Sequence, residues 1–155
     1  MALRRHLLAL LKGKDAHADF DSTVDGFPEE LRGKKITGAP HTAWQLLEHL
    51  RIAQEDILDF CVNPKYVEKK WPEDYWPVNE VPGEGEWDKS VAQFRKDLHA
   101  MMSLASKEEL MAELPHAAGK TLLREVLLVA DHNSYHVGQL MFVRRTLEAG
   151  LIANG

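Results

Sequence analysis

A chain of 155 residues with 45% apolar and 28% charged residues is long enough to bury a core without covalent staples and too apolar for wholesale disorder. Nineteen Lys and Arg against 24 Asp and Glu give a formal charge of −5, and with a pI near 5.9 the chain is a poor candidate for tracking a phosphate backbone, so no nucleic-acid partner is expected. The one cysteine, Cys61, excludes an internal disulfide and makes the reducing cytoplasm the expected location.

The longest aliphatic run, Leu7 to Leu11, is far too short for a membrane span. Arg4 and Arg5 precede it but no small-residue cleavage site follows, so neither a membrane contact nor a secretory leader is expected. Leu3, Leu7, Leu10 and Leu11 have helical spacing, and so do Phe20, Val24 and Phe27. The two sets are out of phase across Gly13-Lys14, which predicts a break there.

Thr42-Ala43-Trp44-Gln45 forms a capping box and predicts a helix to about Phe60. Ala43, Leu46, Leu50, Ala53, Ile57 and Phe60 share one arc at about 100° per residue, with Glu48, Arg51, Glu55 and Asp59 opposite. The connection over residues 61–86 is rich in proline and carries Tyr66, Trp71, Tyr75 and Trp76. A structureless loop of this length is unusual unless it crosses a bundle or has a role of its own. A crossover along a helix about 27 Å long would leave the helices on either side parallel. Its four rings predict an ordered segment packed on the bundle, and Tyr75 and Trp76 are the candidates for a pocket wall or lid. Lys69-Lys70-Trp71 resembles a single-strand-binding patch, but the acidic residues around it give the wrong charge.

A further helix is expected from Trp87-Asp88, with Val91, Phe94, Leu98, Met101 and Ala105 as its stripe. Ser106-Lys107-Glu108-Glu109 is a second capping box and predicts a short extra helix ending before Pro115. The last helix should run from Thr121 to about Glu148, stopping before Gly150, and measure about 40 Å. No segment alternates with period two for long enough to predict a strand. The expected fold is all-α: one domain over residues 1–155, a four-helix bundle with a long crossover between its second and third helices.

Eight histidines are many for a small acidic chain. His132 and His136, four apart on the last helix, project from one face a turn apart, a spacing that lets two imidazoles share a metal. Two partly buried histidines bonded to ordinary polar groups would look the same. His49 lies at the edge of the apolar arc of the second helix, where a lone, satisfied core-edge histidine is the plainer reading. If the second and fourth helices are neighbours, His49 completes a three-histidine site. Such a site leaves coordination positions open, the mark of a reactive metal.

Trp44-Gln45-Leu46-Leu47-Glu48-His49, Ile52-Ala53-Gln54-Glu55-Asp56-Ile57-Leu58 and Ala130-Asp131-His132-Asn133-Ser134-Tyr135-His136-Val137-Gly138-Gln139 together resemble the DinB-like superfamily, a DNA-damage-inducible family distinct from the polymerase of that name. The resemblance also takes in Ala16-His17-Ala18 and Tyr75-Trp76-Pro77 and covers nearly the whole chain. It implies a four-helix bundle with a long crossover and a divalent metal held by His49, His132 and His136. It also implies a small-molecule substrate and, from several relatives, a transferase or isomerase reaction with mycothiol, bacillithiol or glutathione. Zn and Ni are the first expectations, with Fe, Mn and Cu as alternatives, because imidazole suits them all.

A metal-dependent hydrolase and a non-catalytic metal- or ligand-binding bundle are the competing functions, and a homodimer is an open alternative to a monomer. No catalytic base is assigned. Glu125, seven residues before His132, and Gln139, three after His136, are candidates to orient the imidazoles. An exposed first-turn carboxylate favoured by the helix dipole is the competing reading of Glu125. His41 reads as a loop histidine, His99 as a remote candidate for a fourth ligand, and His6 and His116 as surface residues; His17 has no evident role. Cys61 reads as a buried inert thiol, and Gly138 as a point of close helix packing.

Overall fold

The computed structural model describes residues 2–153, and side chains through residue 150. Helix α1 (Ala2–Lys12) stops at Gly13, whose φ of 65° lies in the left-handed region and whose amide returns to the carbonyls of Ala9 and Leu10. The break expected at Gly13-Lys14 is therefore present. The short α2 (Phe20–Val24) is capped by Asp19, which accepts from the Ser22 amide at 2.9 Å. Arg144 ties down its far end, donating to the carbonyls of Thr23 and Asp25.

Helix α3 (Ala43–Val62) begins at the expected capping box: the Thr42 hydroxyl accepts from the Gln45 amide at 3.2 Å, and the Gln45 side chain accepts from the Thr42 amide at 3.1 Å. Helix α4 (Glu86–Lys107) follows Gly85, which takes a φ of 69°. Helix α5 (Leu122–Ala153) carries on through Gly150, whose φ is not in the left-handed region, so this glycine does not end the helix.

The expected extra helix after Ser106 is absent. Ala105 is fully buried as the last residue of the α4 stripe, so α4 continues through Lys107. Ser106 then donates to the Ser103 carbonyl instead of capping. An antiparallel ribbon of β1 (Glu113–Leu114) and β2 (Ala117–Thr121) takes the place of the helix, corrects the expectation of no strand, and contains Gly119 at φ 74°. Buried Leu110 accepts from the Leu123 amide at 2.9 Å, and His116 Nε2 donates to the Phe60 carbonyl at 2.8 Å. These long-range bonds hold the segment extended against the ends of α5 and α3, and they make His116 an anchor rather than a free surface group.

The core has two clusters. One joins the first halves of α3 and α4 (Leu46, Leu50, Trp87, Phe94) to the second half of α5 (Leu140, Val143) and to α2. The other joins α1, the second half of α4 (Met101, Ala105) and the first half of α5 (Val126, Val129), with Ile57, Leu58 and Cys61 of α3 against it. Corresponding halves of α3 and α4 thus share a cluster while α5 is reversed, a distribution that supports a connection running back along the bundle. The fold is an all-α bundle apart from the small ribbon. No helix among the described residues is long and apolar enough to cross a membrane.

Candidate metal centre

His49 faces inward because it follows Leu46 by three and precedes Ala53 by four, both buried on the same arc of α3. His132 and His136 face it from one stripe of α5. The three Nε2 atoms converge: His49 Nε2 lies 3.1 Å from His136 Nε2 and 3.1 Å from His132 Nε2. Among the described residues this is the one group of metal-capable side chains whose donor atoms all lie within 4.8 Å.

The outer nitrogens decide what faces inward. His49 Nδ1 lies 2.9 Å from the Tyr75 carbonyl, which only accepts, so Nδ1 carries the proton. His136 Nδ1 donates in the same way to Gln139 Oε1 at 2.7 Å. In neutral imidazoles the two Nε2 atoms are then bare and turn their lone pairs toward each other at 3.1 Å. A shared proton or cation relieves that opposition. Protonation is disfavoured: burial, with neighbouring imidazoles adding to it, pushes His49 down to about 4 and His132 down to about 3, and burial also lowers His136. A metal ion fits. Two nitrogens about 2.1 Å from one ion sit roughly 3.0–3.4 Å apart for right-angle to tetrahedral geometry, and the 3.1 Å spacings lie in that range.

Residues 13–140 match the family model described as the DinB superfamily. The chain belongs to the DinB superfamily. No curated protein and no solved structure matches it. Membership in the DinB superfamily and the three-histidine cluster together fit a metal-binding protein.

The other candidates fall in distinct places. Gln139 bonds His136, as above. Glu125 does not orient an imidazole: its carboxylate pairs with Arg124. It is also buried rather than exposed, at 1% accessibility, because its position in the first turn of α5 faces the end of α3. His41 lies outside the trio, stacked on the far face of Trp76 at 3.7 Å. His99 is exposed on α4 and is not in the group. His17 accepts from the Ser134 hydroxyl at 3.0 Å and bonds the Ala18 carbonyl. Burial, then Glu125, pushes the Cys61 thiol up to about 12, so it stays protonated and inert.

The connection between α3 and α4 supplies what sequence reading left vague. Trp76 packs against the core and stacks on His49, with ring centroids 3.8 Å apart and planes 2° from parallel. Trp71 remains 68% exposed. Tyr75 gives His49 its backbone carbonyl and sends its hydroxyl to Asp56. Asp56 was not singled out by sequence reading, although a carboxylate on the apolar side of α3, between Ala53 and Ile57, is a visible signal.

Gly138 does not mark close packing. A methyl group there would meet nothing within 4 Å. It opens instead onto a groove of about 640 Å³ lined by Ile36, His41, Leu46, Tyr135, Gln139 and Phe142, among others.

Proposed function

We propose that this DinB protein holds a divalent transition metal, Zn or Ni before the other candidates, on His49, His132 and His136. We further propose that it acts as a transferase or isomerase on a small molecule with a low-molecular-weight thiol as cosubstrate. The convergence of three Nε2 atoms, two of them bare by their outer hydrogen bonds, carries the metal assignment. When bound, the metal supplies a Lewis-acid position that favours the thiolate form of a thiol.

The chain's own residues do the rest. Tyr75 and Gln139 fix two of the rings and their tautomers. Trp76 covers one face of His49 and keeps water from it. The groove lined by Gln139, which bonds His136, and by Gly138 holds the apolar body of the substrate. The thiol must come from outside, because Cys61 is held protonated. A thiol–electrophile screen of metal-loaded protein, with and without chelator, tests this reading. Thiol-dependent turnover abolished by chelator is expected. Turnover that needs no thiol would point to hydrolysis, and turnover indifferent to chelator would contradict the proposal.

A further inference from the structure

Asp56 is one of the buried carboxylates, with Asp97 and Glu125, and the one bonded to the connection that reaches His49. Asp56 lies two turns beyond His49 on the same side of α3 and is only 8% exposed. It accepts from two phenol hydroxyls, Tyr75 at 2.6 Å and Tyr66 at 3.1 and 3.2 Å from its two oxygens. An ionised carboxylate offers acceptors only, so each hydroxyl is held as a donor. Burial first, then Asp56, keeps both phenols protonated, with Tyr66 pushed up to about 12 and Tyr75 also raised. Burying a carboxylate is a costly way to tether a loop that surface contacts could hold.

What the tether delivers is specific. Tyr75 bridges two ligation-relevant points: its hydroxyl sits on Asp56, and its carbonyl accepts from His49 Nδ1 at 2.9 Å. The next residue, Trp76, lays its indole flat on the same imidazole. His49 therefore receives both its in-plane acceptor and its stacking face from a dipeptide whose position Asp56 sets.

We propose that Asp56 is a positioning residue of the metal centre: through Tyr75 it fixes the orientation and tautomer of His49, so that Nε2 and not Nδ1 meets His132 and His136. This inference rests on the metal reading above. An imidazole whose outer N–H loses its acceptor can rotate or change tautomer, and metal affinity falls by about 10–100-fold when such supporting contacts are removed.

The test is cobalt(II) titration, read by affinity and by the visible absorption band at saturation, with circular dichroism reporting helix content. Tyr75→Phe removes one hydroxyl and nothing else. It and Asp56→Leu are expected to weaken cobalt binding about 10–100-fold and to shift the saturated band. Asp56→Asn keeps one oxygen for Tyr75 and should fall between these and the parent. Tyr66→Phe leaves the Tyr75 bond in place and should stay near the parent. Should Asp56→Leu fail to fold, Tyr75→Phe and Asp56→Asn decide the matter. Parent-like affinity and an unshifted band in Tyr75→Phe would overturn the inference, as would a lowered melting temperature with no change in the band. A parent protein that takes up no cobalt would overturn the metal reading itself. The two failures are thus distinguishable.

Discussion

The imidazole of His49 lies against the indole of Trp76 with the two planes 2° from parallel and the ring centroids 3.8 Å apart. His41 stacks on the other side of the same indole at 3.7 Å, so Trp76 is the middle of a three-ring stack that ends on a candidate ligand histidine. The connection is thereby tied to the metal centre by area as well as by hydrogen bonds, and at about 25 cal/mol per Å² even half an indole removed from water holds a loop against its closure entropy.

Trp76 should report on the centre. Binding of Ni or Cu at His49 is expected to quench tryptophan fluorescence, and Trp76→Phe should remove most of that change although Trp44, Trp71 and Trp87 remain. An undiminished quench in Trp76→Phe would mean that the metal binds elsewhere.

The metal-free protein should lose stability in mild acid. Burial pushes His49 down to about 4 and His132 down to about 3 in the folded chain, from an ordinary 6.5. The unfolded chain therefore takes up protons that the folded chain refuses. The contribution is fully present above pH 6.5 and is lost as pH falls through about 4 and then about 3. Urea unfolding across this window checks it: the midpoint should drop on acidification, and less so in His132→Asn. Metal affinity should fall over the same range, because only neutral imidazole binds.

Gly138 separates the groove from the fold. Gly138→Ala adds a methyl that meets nothing within 4 Å and should stabilise the protein by about 1 kcal/mol through helix propensity. Gly138→Leu should intrude into the groove, leave metal content unchanged, and lower turnover of a substrate seated there. Loss of metal in Gly138→Leu would place the glycine in the metal centre instead.

The core predicts a contrast between buried and exposed positions of α3 and α4. Leu50, fully buried, and Phe94, stacked on Phe20 at 3.8 Å, should each cost about 2–5 kcal/mol when changed to alanine. Glu55 is exposed in an ion pair with Arg51, and Glu55→Ala should stay within about 0.5 kcal/mol. Denaturant titration of the three variants measures the difference.

What the sequence made legible was local. The Thr42–Gln45 capping box, the stripes of α3 and α4 and the stop at Gly13 are all set by residues within a few positions of one another. The His132/His136 pair is likewise a matter of helical spacing. His49 could join them only if α3 and α5 were neighbours, which family resemblance implied and spacing could not.

The Ser106 box misled because burial of Ala105 outweighed a local capping preference. Glu125 was a candidate to orient an imidazole by its seven-residue spacing from His132, but its buried carboxylate pairs with the neighbouring Arg124 instead, a partner that helical spacing does not reveal. The Tyr75 carbonyl was beyond reach, since a backbone acceptor in a loop has no residue signature. Asp56 was visible as a charge on an apolar face, but its partners lie in the connection and come to it only in three dimensions.

The central claim is that His49, His132 and His136 bind one metal together. The most direct measurement is the zinc or nickel content of purified parent protein beside His49→Ala, His132→Ala and His136→Ala, with helix content measured on the same samples. The account predicts about one ion per parent chain, sharp loss in each variant, and helix content preserved, because both core clusters stand on their own apolar stripes. Equal metal content in the parent and all three variants would contradict it.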